Sequence, residues 1–287
     1  MRPPRPAVHA FALAILGASF LAPEASASAD AQPNRIRIEY VAPTSPEHEP
    51  IYRMLKERRA LEKLQEIYGA FRLPIDLTLR TVGCDGVSNA WYQRGRVSVC
   101  YEYLNEVRKM MPQETTAAGI TPADAVVGQF FYVFAHEMGH AMFDLLDVPV
   151  FGRPEDAADQ FATYIILQFG KDDARRLITG AAYSYKDFVL QPKVTAPLAA
   201  FSNSHSPPAV RFYNMLCMAY GADPALFADF VTKGYLPKQR AEGCRKEYGE
   251  VAYAFSRLIV PHLDKGIAQS VLHRSWLPDD KVRPAPH

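Results

Sequence analysis

Apolar and polar positions alternate in three short stretches of the first hundred residues, and from about residue 121 the spacing turns helical. In RIRIEYV, Ile36, Ile38 and Tyr40 fall on one side and Arg35, Arg37 and Glu39 on the other, the pattern of a half-buried strand. IDLTLRTVG repeats it with Ile75, Leu77 and Leu79, and VSVCY with Val97, Val99 and Tyr101; the turn-rich CDGVSNAWYQRGR lies between them. Between the first two strands, residues 49–68 predict one charged amphipathic helix with Ile51, Leu55, Leu64 and Ile67 as its apolar stripe.

The helical half opens at Thr121, which can cap, with Pro122 suited to the first turn and Asp124 facing the positive helix end. This helix should reach about Leu146. Pro149, Gly152 and Pro154 mark a connection, EDAADQFATYIILQF predicts a second helix closed by Gly170, and a third follows from Lys171 to Val189. After a loop at SNSHSPP the chain is mostly helical. The expected class is α+β: a small antiparallel or mixed sheet packed on the long helix, with residues 30–200 as catalytic core, 201–276 as a helical C-terminal subdomain and 277–287 as a polar tail.

The N-terminal stretch reads as a processing signal. Arg2 and Arg5 precede the apolar AVHAFALAILGASFLA, and small residues at Ala25, Ala27 and Ala29 predict a secretory signal peptide over 1–29, cleaved after Ala27 or Ala29. No later segment is long and apolar enough to cross a bilayer, so the mature chain is expected in the periplasm or outside the cell. Lys+Arg 32 against Asp+Glu 31 leaves no basic excess to attract nucleic acid or anionic membranes. In an oxidising compartment, Cys84, Cys100, Cys217 and Cys244 should pair. Three connectivities are possible; Cys84–Cys100 is favoured because it brackets a hairpin, and Cys217–Cys244 because it brackets a segment with its own turn signals.

The chemistry concentrates in FYVFAHEMGHAMFDLLD, residues 131–147, where His136, Glu137 and His140 interrupt a run otherwise bound for the core. Residues four apart share a helix face, so both imidazoles can aim at one Zn2+ ion, one per chain, while the adjacent Glu137 reaches a water without ligating the metal. Buried ionisable groups need partners, and a metal supplies them. A catalytic zinc takes a third protein ligand: in EDAAD, Glu155 and Asp159 again share a face, with Glu155 the expected ligand and Asp159 expected to orient a zinc-binding histidine, or, as the runner-up, to be the ligand itself.

HEMGH followed by EDAAD resembles the H-E-x-x-H plus E-x-x-x-D pattern of the gluzincin metallopeptidases, and so implies a zincin-like fold. SNAWYQRGRVSV resembles the edge-strand motif of the CAAX prenyl protease and HtpX-type zinc proteases, and SHSPPAVR resembles their later H-P-x-x-x-x-R segment. Those families are largely membrane-embedded and this chain lacks their transmembrane helices, so prenylated or membrane substrates do not follow. From Arg35 to His262, both cysteine pairs included, the chain bears a closer overall resemblance to a bacterial family described as presumed zinc metallopeptidases. The resemblance implies peptide hydrolysis of an extended peptide or protein substrate, with Asn89, Ala90, Trp91 and Tyr92 as an edge-strand cradle, His205 as a catalytic hydrogen-bond donor or occluding ligand, and Arg211 as a substrate-binding residue. A metal-containing binding or chaperone-like protein of the cell envelope is the alternative, and Glu137 argues against it, since a structural zinc has no use for a general base.

Overall fold

The computed structural model describes residues 34–189 and 201–277. The expected signal peptide and nearly all of the expected polar tail lie outside the described residues.

Four strands form one mixed sheet, β1 (Ile36–Tyr40), β2 (Leu77–Val82), β3 (Ala90–Gln93) and β4 (Arg96–Cys100), in the order β1-β2-β4-β3. β1, β2 and β4 run parallel, and β3 returns antiparallel to β4 and closes one edge. Leu77 and Leu79 of β2 are fully buried, as the alternation predicts, whereas Ile75 stays exposed ahead of the strand. In β4, Val97, Ser98 and Val99 are all buried, because this interior strand is covered on both faces. VSVCY differs from the expectation at its end: the strand stops at Cys100, and Tyr101 begins an unforeseen helix, α3 (Tyr101–Met110). Tyr101 turns inward and donates its hydroxyl proton to the Val41 carbonyl at 2.7 Å. The Cys84–Cys100 disulfide ties the hairpin base to the preceding loop.

The helix expected over 49–68 is two helices, α1 (Glu49–Glu57) and α2 (Ala60–Tyr68), separated at Arg59, which adopts a left-handed conformation with φ of 51°. At about 100° per residue, the nine positions from Leu55 to Leu64 would place those two leucines on opposite faces of a continuous helix. The break lets all four stripe residues point into one core. Tyr40 secures it, accepting from the Leu61 amide and donating to Glu62, both at 2.7 Å.

The long helix α4 (Pro122–Leu145) matches its expected bounds and its Thr121 cap, whose hydroxyl accepts from the Asp124 amide at 3.0 Å. It is the central beam, with α5 (Pro154–Leu167) and α6 (Lys171–Tyr183) packed along it. Gly170 serves as N-cap of α6 and does not close α5, which ends at Leu167. The third helix stops at Tyr183 and resumes as α7 (Lys186–Val189), the gap being where Ser184 bonds sideways to Gln129 of α4 at 3.0 Å. Then come α8 (Pro208–Ala222), α9 (Ala228–Thr232), α10 (Lys238–Ala241), α11 (Cys244–Leu258) and α12 (Lys265–Leu272). The Cys217–Cys244 disulfide joins α8 to α11, so the favoured pairing is the one formed in both cases. Among the described residues no helix is long and apolar enough to cross a membrane.

Small residues set the helix spacing. A Cβ on Gly180 would stand 2.0 Å from the Asp124 carbonyl oxygen, and one on Gly128 2.6 Å from the Ala181 nitrogen, so α4 and α6 touch backbone to backbone. Gly180→Ala is therefore expected to lower the unfolding free energy by about 1–3 kcal/mol through forced separation of the helices. Gly249→Ala, inside α11 where nothing stands within 4 Å, is expected to raise it by about 0.5–1 kcal/mol through helix propensity. Denaturant unfolding of the two variants checks the contrast.

Candidate metal centre

The two metal motifs face each other because α4 and α5 also approach closely. Gly139, between the two histidines, would place a Cβ 3.1 Å from Ala158 Cα, so the backbones of HEMGH and EDAAD lie in contact. Across that contact His136 and His140 Nε2 converge on Glu155 Oε2 at 3.1 and 3.3 Å. Donor atoms bound to one zinc at about 2.0–2.1 Å with tetrahedral angles stand about 3.3 Å apart, so this set fits a single ion. Two imidazoles and a carboxylate, all within 4.8 Å of one another, could hold a metal.

The ring of His136 is held from behind. Its Nδ1 is 2.7 Å from Asp159 Oδ1, and Asp159 in turn receives two bonds of 2.7 Å from Arg211 Nε and Nη2. Both Asp159 and His136 are buried. Burial alone would raise the Asp159 carboxyl, but its bonds from His136 and Arg211 outweigh that and hold it well below the usual carboxylate range. Glu155 is drawn down to about 2, chiefly by its bond to His136 and against its own partial burial.

Glu137 points to the cleft beside the cluster. In the polypeptide alone, burial pushes its carboxyl up to about 7, His136 draws it down and Glu155 adds to the rise. The Tyr92 amide of β3 stands near enough to draw it down as well. The pairing of β3 with β4 fixes the orientation of the strand. Asn89 O accepts from the Cys100 amide on β4 at 3.1 Å, so by the two-residue alternation of a strand the backbone groups of Ala90 and Tyr92 turn away from β4, toward the cleft. The strand is pinned in place by Asp144 of α4, which accepts from Tyr92 Oη at 2.7 Å and from Arg94 at 2.5 Å.

The loop at SNSHSPP reaches the same place. His205 Nε2 lies 2.8 Å from Glu155 Oε2, and its ring stacks on that of His136 at 5.9 Å between centroids. Arg153, the residue before α5, holds this loop through the Asn203 carbonyl at 2.5 Å and the Ser206 hydroxyl at 3.1 Å. Every residue singled out in the sequence for metal, catalysis or substrate thus lines or backs one cleft of about 400 Å³. Arg211 reaches it with two of its nitrogens engaged by Asp159.

Sequence reasoning missed Arg153 and the far wall of the cleft, formed by Tyr103, Gln129, Tyr132, Val133 and Tyr185. A signal for part of that wall was present: Gln129, Tyr132 and Val133 precede His136 by seven, four and three residues, one continuous face of α4.

Arg211→Met would leave Asp159 buried with His136 as its sole side-chain partner, and the expected loss of stability is about 3–5 kcal/mol by denaturant unfolding. Asp159→Ala, which frees the His136 ring, is expected to weaken metal binding by about 10–100-fold, read by competition with a chromogenic chelator.

No curated protein and no solved structure matches the chain. A family model does, over residues 40–259, which span strands β2 to β4, the paired metal motifs and the helices that back them. The chain belongs to the DUF4344 family, described as "Putative metallopeptidase".

Proposed function

We propose that this protein is a secreted or periplasmic zinc metallopeptidase of gluzincin type with a zincin-like core, acting on extended peptide or protein segments. The observation that carries the reading is the convergence of His136, His140 and Glu155 on one point, with Glu137 beside it and the β3 edge across the cleft. Family membership supports metallopeptidase chemistry, and two disulfides suit an oxidising compartment.

Bound zinc supplies Lewis acidity, polarising a carbonyl and acidifying water. The protein's own groups do the rest. Glu137 takes the proton from the attacking water and returns it to the departing amine, acting as base and then as acid. Asp159, braced by Arg211, keeps the Nδ1 proton on His136 so that Nε2 carries its lone pair toward the metal position. The outward backbone groups of Ala90 pair with the substrate main chain and set its register, and Asn89 and Trp91, whose backbone groups face β4, contribute their side chains to the same edge. His205, placed by Arg153, donates to the oxygen that gains charge in the transition state.

Metal analysis of the purified mature protein is expected to find one zinc per chain, retained in Glu137→Gln and lost in the double variant His136→Ala, His140→Ala. Glu137→Gln should lower kcat/KM on a cleavable peptide by at least about 10²–10⁴, the worth of a positioned general base. Full activity in that variant with zinc retained would refute the mechanism. A metal-bearing wild type that cleaves no member of a broad peptide library would favour the envelope binding protein.

A further inference from the structure

The far wall of the cleft has a chemistry that the reaction does not use. Its lining is three phenols, from Tyr103, Tyr132 and Tyr185, and the Gln129 carboxamide, with Val133 the apolar exception. Gln129 is immobilised at both ends: its Nε2 donates to Tyr103 Oη at 2.6 Å and its Oε1 accepts from Ser184 at 3.0 Å. Because Tyr103 Oη accepts there, its own proton remains to be given elsewhere. Tyr132 Oη is buried, with the residue 2% exposed, and it closes no hydrogen bond of normal length and angle. Asp159 and Tyr185 stand close enough to act on its titration, yet neither satisfies it in that sense. A buried hydroxyl left in this way, on a residue that lines the cleft, is open to completion by a ligand group when the wall shifts to admit it, since the oxygen itself is sealed from the cleft as it stands.

We infer that this wall is a specificity pocket for an uncharged, hydrogen-bonding side chain of glutamine type on a residue flanking the scissile bond. The assignment rests on reading the cleft as a metallopeptidase site. Reach supports it, since Tyr132 lies one turn of α4 from His136, about 6 Å along the axis, and Gln129 about 10 Å. A glutamine beside the scissile bond brings its carbonyl oxygen to that depth. The pocket offers hydroxyl protons, so the entering group must accept. Burial pushes the phenols of Tyr103, Tyr132 and Tyr185 upward, which keeps them protonated as donors. An anionic side chain is disfavoured: the Arg211 guanidinium is bonded twice to Asp159, and Glu137 and Glu155 both face the cleft. An aliphatic side chain would leave the Tyr132 hydroxyl unmet.

The test separates this pocket from the catalytic reading by measuring binding in a variant that cannot turn over. Zinc-loaded Glu137→Gln protein is titrated calorimetrically with two series of peptide hydroxamates, the variable residue lying before the chelating group in one and after it in the other. Each series carries Gln, Leu or Glu at that position. In one series Gln is expected to bind at least about tenfold more tightly than Leu and Glu, because a site built to bond a polar group discriminates against analogues that lack it. That preference should fall below about threefold when Tyr132→Phe is added, and again, independently, with Gln129→Leu. Equal binding of Gln and Leu, tighter binding of Leu or Glu, or a ranking unmoved by both variants overturns the pocket assignment and leaves peptide hydrolysis standing. The predicted ranking in a wild-type protein that hydrolyses no peptide overturns the catalytic reading and leaves the pocket. Failure of every hydroxamate to bind the zinc-loaded protein overturns both.

Discussion

A helix buried on nearly all sides can carry two imidazoles and a carboxylate only if a neighbouring helix comes near enough to answer them, and the contact of Gly139 with Ala158 provides that approach. With the α4 and α5 backbones touching, His136 meets Asp159 and both histidines meet Glu155. With a side chain at Gly139, or one larger than a methyl at Ala158, the helices would stand farther apart and the carboxylates would be drawn away from the histidines. The Gly128–Gly180 contact plays the same part on the α6 side, fixing α4 between two partners. The small residues are thus as much a part of the centre as the groups that would touch a metal.

Electrostatics continues outward from that contact in a chain. Arg211 answers Asp159, Asp159 answers His136, and His136 and His140 answer Glu155. At the buried end of the chain Asp159 and His136 lie beside their partners, so Arg211 cannot be removed without leaving the Asp159 carboxylate short of a cation. This alternation lets a cleft with three carboxylates, a guanidinium and three imidazoles persist inside a hydrophobic core.

Much of this was legible in the sequence, and the limits of legibility have physical causes. The i, i+4 spacing of His136 with His140 and of Glu155 with Asp159 announced two faces that must meet, since helical periodicity is local and strict. The strands read correctly where one face is wet, and the edge position of SNAWYQ followed from its motif. The helix expected over 49–68 failed at a point that its own phases betray, the half-turn mismatch between Leu55 and Leu64. The helix after Cys100 escaped because it has no capping side chain and follows a strand without a linker. Arg153 and the tyrosines of the far wall come from four separate elements or connections, and only tertiary packing gathers them, so no local pattern could name them as a set. Arg211 illustrates the last kind of limit: sequence placed it at the site, but only geometry reveals that its strongest partner is Asp159.

The order of these contacts along the chain has a temporal meaning. Everything from His136 to Asp159 lies within one pair of adjacent helices, but His205 and Arg211 enter from about fifty residues farther on, on a segment that the Cys217–Cys244 bridge fastens to α11. In a polypeptide made from its N-terminus, the first two histidines and Glu155 are in place along the chain before the brace and the last imidazole have been added. The centre is therefore finished by the part of the molecule that arrives last and is fastened by an oxidation.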